Sequence, residues 1–166
     1  MKKIVVLAAA IAVCFGTAFA EKYVSANDLD VQELKKNITT EDGFVIHATD
    51  AQPVKVINVG GAQGPSTFGN ETFSRVIDVR GTGTVTARSI SIKAKAGETL
   101  TVYFKSAGDA DRTLYILDQE GNVIQSAVAP ARQNPIVELN FKVPSAGEYF
   151  VASKGSGIYI YEVILE

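Results

Sequence analysis

The sequence predicts an all-β fold, an antiparallel β-sandwich, on three observations. Short stretches alternate apolar and polar residues with period two, as Leu100, Val102 and Phe104 do against Thr101, Tyr103 and Lys105. Turn chemistry recurs about every eight to twelve residues. Helical periodicity is nearly absent, and no fixed-period repeat points to a solenoid or a propeller.

Met1 to Ala20 reads as a secretory signal peptide. Lys2 and Lys3 form a basic start, Ile4 to Phe15 an apolar run, and Ala18-Phe19-Ala20 a small-residue cleavage site. The run is shorter than the roughly 20 residues of a membrane span. Cleavage would remove two lysines and no acid, moving the net charge from −2 to −4. It would also remove Cys14, the sole cysteine, so no intrachain disulfide is expected and the core must hold the fold. No second apolar run is long enough to span a membrane, so no membrane insertion is expected after cleavage. The weak negative charge argues against nucleic acid as a partner.

Residues 21–42 are polar and are expected to form an N-terminal arm or a short helix. Ser25-Ala26-Asn27-Asp28 would cap that helix, with Leu29, Val31 and Leu34 on one side. The sandwich domain is assigned to residues 43–166. Phe44 to Ala48 and Val54 to Val59 read as strands separated by a break at Gln52-Pro53. Gly60 to Gly69 reads as a loop, too irregular for a phosphate-binding glycine motif. Glu71 to Arg80 reads as one strand with Phe73, Arg75, Ile77 and Val79 on one side, ending in the turn Gly81-Thr82-Gly83. Ala87 to Ala94 follows, with Arg88, Ile90 and Ile92 opposite Ser89, Ser91 and Lys93.

Gly97 to Ile124 is expected to be a three-stranded meander around which the rest is organised. Its second strand carries Leu114 and Ile116, and Asp118-Gln119-Glu120-Gly121-Asn122 turns into the third. Ala129 to Pro135 reads as a loop and Ile136 to Val143 as a strand, ending in the tight turn Pro144-Ser145-Ala146-Gly147. Tyr149 to Ser153 and Ile158 to Leu165 are the last strands. The final one is apolar on both faces, which suits a central position. The total is about nine strands, and both a jelly roll and an immunoglobulin-like Greek key fit that count.

Catalytic chemistry is poorly represented. No nucleophile elbow, histidine pair or metal-ligand spacing of His and Cys appears, and His47, the single histidine, reads as a structural strand residue. Gly108-Asp109-Ala110-Asp111 places two carboxylates in one loop, a start for a structural calcium site. Without a bidentate Glu or an Asn/Asp ladder, loop solvation and strand capping is the favoured reading, and no cofactor is expected.

The arginines carry more information. Arg75, Arg88 and Arg112 each fall in phase with apolar residues of their own strand and near its start. Either each snorkels at the core rim or pairs with Asp78, Asp111 or Glu162, or they converge beside Lys154 and bind carboxylates through their guanidinium forks. Tyr159 and Tyr161 could stack on sugar rings or pack across strands.

Three blocks together resemble a known family. They are Phe73-Ser74-Arg75 with Gly81-Thr82-Gly83 and Ala87-Arg88-Ser89-Ile90; Asp111-Arg112-Thr113-Leu114 with Leu117-Asp118 and Gly121-Asn122-Val123; and Pro144-Ser145-Ala146-Gly147-Glu148-Tyr149 with Ser153-Lys154, Gly157-Ile158 and Tyr161. In this order they look like the non-catalytic β-sandwich modules found beside catalytic domains in secreted bacterial pectate lyases and related polysaccharide-degrading enzymes. The likeness runs from about Gly43 to Glu166. It implies a jelly-roll-like sandwich that holds polysaccharide and catalyses nothing.

The resulting expectation is a bacterial, secreted or periplasmic, non-catalytic carbohydrate-binding protein. Its partner would be an acidic polysaccharide such as pectin, a polyuronate, held by Arg75, Arg88, Arg112, Lys154 and Tyr159. The competing expectation is a structural or interaction protein of the envelope or cell surface.

Overall fold

The computed structural model describes residues 21–59, 66–131, 135–155 and 157–166. The expected leader, residues 60–65 of the glycine-rich loop, residues 132–134 and Ser156 lie outside the described residues. The strands are β1 (Lys22–Ser25), β2 (Gln32–Leu34), β3 (Ile38–Thr39), β4 (Val45–His47), β5 (Val54–Asn58), β6 (Ser66–Phe68), β7 (Glu71–Phe73), β8 (Arg75–Asp78), β9 (Ser89–Ala94), β10 (Thr99–Ser106), β11 (Arg112–Leu117), β12 (Val123–Ala129), β13 (Val137–Lys142), β14 (Gly147–Ser153) and β15 (Ile158–Leu165). The single helical element among the described residues is a 3-10 turn at Ala26–Asp28.

Two antiparallel sheets face each other. The first has the order β13-β10-β15-β8-β5-β2, with β1 also pairing β15; the second has the order β12-β11-β14-β9-β4-β3. From β8 to β15 the chain crosses between sheets at nearly every connection, so that β13-β10-β15-β8 lies over β12-β11-β14-β9. That wrapping is a jelly roll. The inward side chains, among them Ile46, Ile90, Leu100, Phe104, Ile116 and Ile160, form one buried cluster between the sheets.

The expected meander does not form. β10 belongs to the first sheet and β11 to the second, and only β11 and β12 make a hairpin. Ser106 supports the crossing, because its hydroxyl donates to the carbonyls of Gly108 and Ala110 and holds the loop compact. Glu71 to Arg80 is likewise not one strand. The ladder breaks at Ser74, whose amide and hydroxyl both donate to Asn27 Oδ1. Phe73 therefore joins Val76 and Tyr161 on the outer face of the first sheet instead of Ile77 in the core. Ser66–Phe68, expected in a loop, pairs β7 and covers that outer face. Residues 21–42 are woven into both sheets through β1, β2 and β3. The strand number rises above nine because these short edge segments carry too few residues to show a period.

On the outer face of the second sheet a hydrogen-bonded row ties β4, β9 and β14. Ser91 Oγ donates to Glu148 Oε1 at 2.7 Å, so it must accept from His47 Nε2 at 2.8 Å. His47 Nδ1 is then bare and accepts from Asn37 Nδ2 at 3.4 Å, while Asn37 Oδ1 accepts from the Ala48 amide. The row holds the ring neutral. Burial lowers the His47 pKa, opposed by the nearby Glu148 charge. Phe150 packs against the ring at 5.5 Å.

Two predictions follow from this packing. Ile116→Ala should lower stability by about 2–5 kcal/mol in denaturant unfolding, as truncation of a buried Ile does; a change within error would place Ile116 outside the core. His47 has a folded pKa below the ordinary value near 6.5, so its contribution is present above that value and lost as pH falls through the folded pKa. Stability should therefore fall as pH drops below about 6.5, and the fall should be shallower in His47→Gln, which keeps a neutral donor.

Candidate functional site

Four connections of the jelly roll meet at one end. The Val79 amide donates to the Ile158 carbonyl, the Gly83 amide to Ser153 and the Ala107 amide to Gly157. Asp111 Oδ1 accepts from the Ala131 amide. The two carboxylates of the Gly108–Asp111 loop thus divide, with Asp111 tying two loops and Asp109 exposed. Among the described residues no three His, Cys, Asp or Glu side chains gather to hold a metal ion.

Beside this end the outer face of the first sheet opens into a recess of about 250 Å³, lined by Pro53, Lys55, Ile57, Asp78, Arg80 and Arg88. The ladders explain the grouping. Asp78 stands opposite Lys55 of β5 on one side and Tyr159 of β15 on the other. It points away from the core because Ile77 points in. Arg80, just beyond β8, turns back: Nε lies 2.7 Å from Asp78 Oδ2, and Nη2 donates to the Tyr159 hydroxyl at 3.1 Å.

Arg88 enters from the second sheet. Its amide donates to the His47 carbonyl at 2.7 Å, and its backbone is left-handed at φ 52°. No other non-glycine among the described residues has positive φ, and such a conformation costs of order 1 kcal/mol. Two glycines make room for it. A Cβ on Gly81 would meet Arg88 Nη1 at 2.4 Å, and one on Gly83 would meet the Arg88 carbonyl oxygen at 2.4 Å. The turn Gly81-Thr82-Gly83 is therefore the mould into which Arg88 is pressed.

The recess is unbalanced. Asp78 is 4% exposed, and its Oδ1 is buried with no hydrogen-bond partner. Arg88 Nε is buried without a partner as well. Burial raises the Asp78 pKa, against the opposing charge of Arg80. Lys55 reaches Glu33 at 3.1 Å, but both side chains are well exposed, and such a pair is weak.

Of the five residues expected to bind, two meet here. Arg88 lines the recess, and Tyr159 positions Arg80 through its hydroxyl. Arg112 and Lys154 lie near the same end but do not line the recess. Arg112 Nε is buried without a partner, and Lys154 Nζ sits 5.8 Å over the Tyr115 ring. Arg75 is elsewhere, its guanidinium donating to the carbonyls of Asn27 and Leu29 and fastening the 3-10 turn to β8. Among the described residues none of Arg75, Arg88 and Arg112 pairs with a carboxylate; Asp78 pairs with Arg80. Lys55 and Arg80 were not singled out from the sequence, and Asp78 was named there only as an ion-pair partner for the three arginines.

A larger recess of about 680 Å³ lies where β1 and the 3-10 turn meet the β3–β4 connection. Glu21, Asp28, Glu41 and Asp42 line it without a single base, which sets it against an acidic ligand. No helix among the described residues is long and apolar enough to cross a membrane.

Comparison with known proteins bears on the middle of the jelly roll. Residues 86–153, from the approach to β9 through β14, match the bacterial pre-peptidase C-terminal domain family. No curated protein matches the sequence. Among solved structures the chain is similar to a Clostridium perfringens ZmpB structure of CBM51-2, in complex with GlcNAc, and INT domains: 11% identity, 87% of this chain, 32% of that one, TM-score 0.47. It is similar to the CBM22-1 xylan-binding domain of Paenibacillus barcinonensis Xyn10C: 12% identity, 89% and 97% covered, TM-score 0.45. It is similar also to a cleaved adhesin domain of Lys-gingipain from Porphyromonas gingivalis: 11% identity, 89% and 98% covered, TM-score 0.46. The chain spans 32%, 15% and 28% of three larger chains that it matches.

Proposed function

We propose that this is an exported, non-catalytic carbohydrate-binding domain that holds an acidic polysaccharide, a polyuronate such as pectin, in the recess of Lys55, Asp78, Arg80 and Arg88. The observation that carries the reading is the pair of orphaned atoms, Asp78 Oδ1 and Arg88 Nε. A buried acceptor and a buried donor each cost free energy until something bonds them. Hydroxyls of a sugar ring would do both once the recess opens enough to uncover these atoms, donating to the carboxylate and accepting from the guanidinium. Three bases stand around one acid, so a uronate carboxylate finds positive partners there, and a guanidinium matches its two oxygens. Tyr159 holds Arg80 in place. The basic, apolar and small-residue order of residues 1–20 supports export to the periplasm or beyond.

Asp78 should trade stability for binding. Its folded pKa lies above the ordinary value, so the native state takes up the proton more readily than the unfolded chain does, and stability from this group rises as pH falls. At neutral pH the buried charge is a cost. Asp78→Asn should therefore melt at least as high as wild type near pH 7, with the gap closing as pH falls through the folded pKa. A large loss of stability would show instead that Asp78 is held for the fold.

Calorimetry with polygalacturonate and with neutral xylan tests the ligand. Wild type should bind polygalacturonate more tightly, and more weakly as salt rises, since exposed charges are screened over about 10 Å at 0.1 M. Asp78→Asn and Arg88→Lys should each lose at least about tenfold in affinity, or 1.4 kcal/mol, while remaining folded. No heat with either glycan at about millimolar sites would end the proposal.

A further inference from the structure

Asp78 stands in the recess with half of its carboxylate bonded. Oδ2 lies 2.7 Å from Arg80 Nε, while Oδ1 is buried with no hydrogen-bond partner. Four polar or charged groups face this carboxylate. Lys55, opposite on β5, reaches instead to Glu33 of β2 at 3.1 Å. Tyr159, opposite on β15, accepts from Arg80 Nη2 at 3.1 Å. Arg80 lies just beyond β8, and Arg88 lines the recess from the approach to β9. Pro53 and Ile57 are the apolar part of the lining. A charged oxygen that is out of water and unbonded costs free energy. Two events relieve that cost. A proton removes the charge. A hydroxyl that reaches Oδ1 supplies the missing bond, and it donates far more strongly to an ionised oxygen than to a neutral carboxyl. Both act on one carboxylate, so each weakens the other.

We propose that the recess is proton-coupled: it opens to a sugar hydroxyl while Asp78 is ionised, and a proton on Asp78 closes it and releases the ligand. The coupling rests on the glycan-binding role proposed above for this recess. Ionised Asp78 with a bare Oδ1 makes the closed recess costly and the liganded one favourable; protonated Asp78 removes that bias. The proton also undoes the Arg80 ion pair. The Arg80 side chain is 65% exposed, so without its anchor it turns to water and no longer faces the ligand. Protonation leaves the recess one charge more positive, which favours a uronate. That attraction acts through exposed, screened cations and is weaker than a hydrogen bond to a buried ionised oxygen. Affinity is therefore full above the Asp78 pKa and falls as pH passes down through it. Burial raises that pKa, opposed by Arg80 and then Lys55, so the loss begins at a higher pH than an exposed Asp would give. By linkage, bound ligand lowers the Asp78 pKa.

Calorimetry with trigalacturonate, from neutral pH down into the ordinary carboxylate range, tests this on wild type and Asp78→Asn. The ligand's own protonation acts on both proteins alike and cancels in the ratio of their affinities. Wild type should bind at least about tenfold more tightly at neutral pH, and that advantage should shrink towards none as pH falls. Carbon NMR of the Asp78 carboxyl reads the same coupling without a variant. Its titration should lie above the ordinary Asp value in the free protein and move down when trigalacturonate is bound. A wild-type advantage that stays constant with pH, or an Asp78 titration that the ligand leaves in place or raises, overturns the coupling and leaves binding at neutral pH standing. No binding of trigalacturonate at neutral pH overturns the binding role itself, and the coupling with it.

Discussion

The first sheet is held together by its last strand. β15 pairs β10 along nearly its whole length on one edge, and β8 and then β1 on the other. It can do this only with an irregularity. Tyr103 stands opposite Glu162 and Phe104 opposite Ile160, so Tyr161 is the extra residue of a bulge. Ile158 and Ile160 face the core before it, and Val163 and Leu165 after it. The phase shift keeps four apolar side chains inward and throws Tyr161 outward, where its ring packs tilted against Phe73 at 5.0 Å and its hydroxyl donates to Ser66 Oγ at 3.0 Å. The β6–β7 hairpin is thereby fastened to the outer face, and one side of that face is filled. The other side, at the level of Tyr159 and Asp78, stays open as the recess.

Period-two alternation made the long strands legible because each has one face in the core. β10, β13 and β14 fall where the apolar residues say they should. The bulge was written in the same pattern, as two apolar phases in one strand, and reads from sequence alone as a strand apolar on both faces. Which sheet a strand joins was not legible. β10 and β11 both alternate correctly, and a short polar connection serves a hairpin as well as a crossing; the choice between them is made by closure of the whole sandwich. The break at Ser74 depends on Asn27, 47 residues away, and nothing local announces it.

The site was legible in part for the same reason. Arg88 attracted notice as a cation in phase with Ile90 and Ile92, although its side chain escapes that phase because its backbone is left-handed. Arg75 gave the same signal and turned out to fasten backbone carbonyls, which shows that a cation at a strand start reports a strand end and no more. Asp78 drew notice only as an ion-pair partner for the arginines, a carboxylate at an outward position between Ile77 and Val79. An outward acid on a solvated face is unremarkable. Here the face is partly roofed by other elements, and the acid is buried. Only tertiary structure converts the one case into the other.

The recess takes its lining from both sheets. Lys55 and Asp78 come from β5 and β8 of the first sheet, and Arg88 from the approach to β9 of the second. Its shape therefore depends on closure of the sandwich, and on the left-handed backbone at Arg88 that Gly81 and Gly83 accommodate. On the function proposed for it, a shallow recess with a few charged groups would hold one or two sugar residues weakly, because exposed ion pairs contribute little. A polysaccharide repeats, so a ligand of that class would offer many such weak contacts in succession.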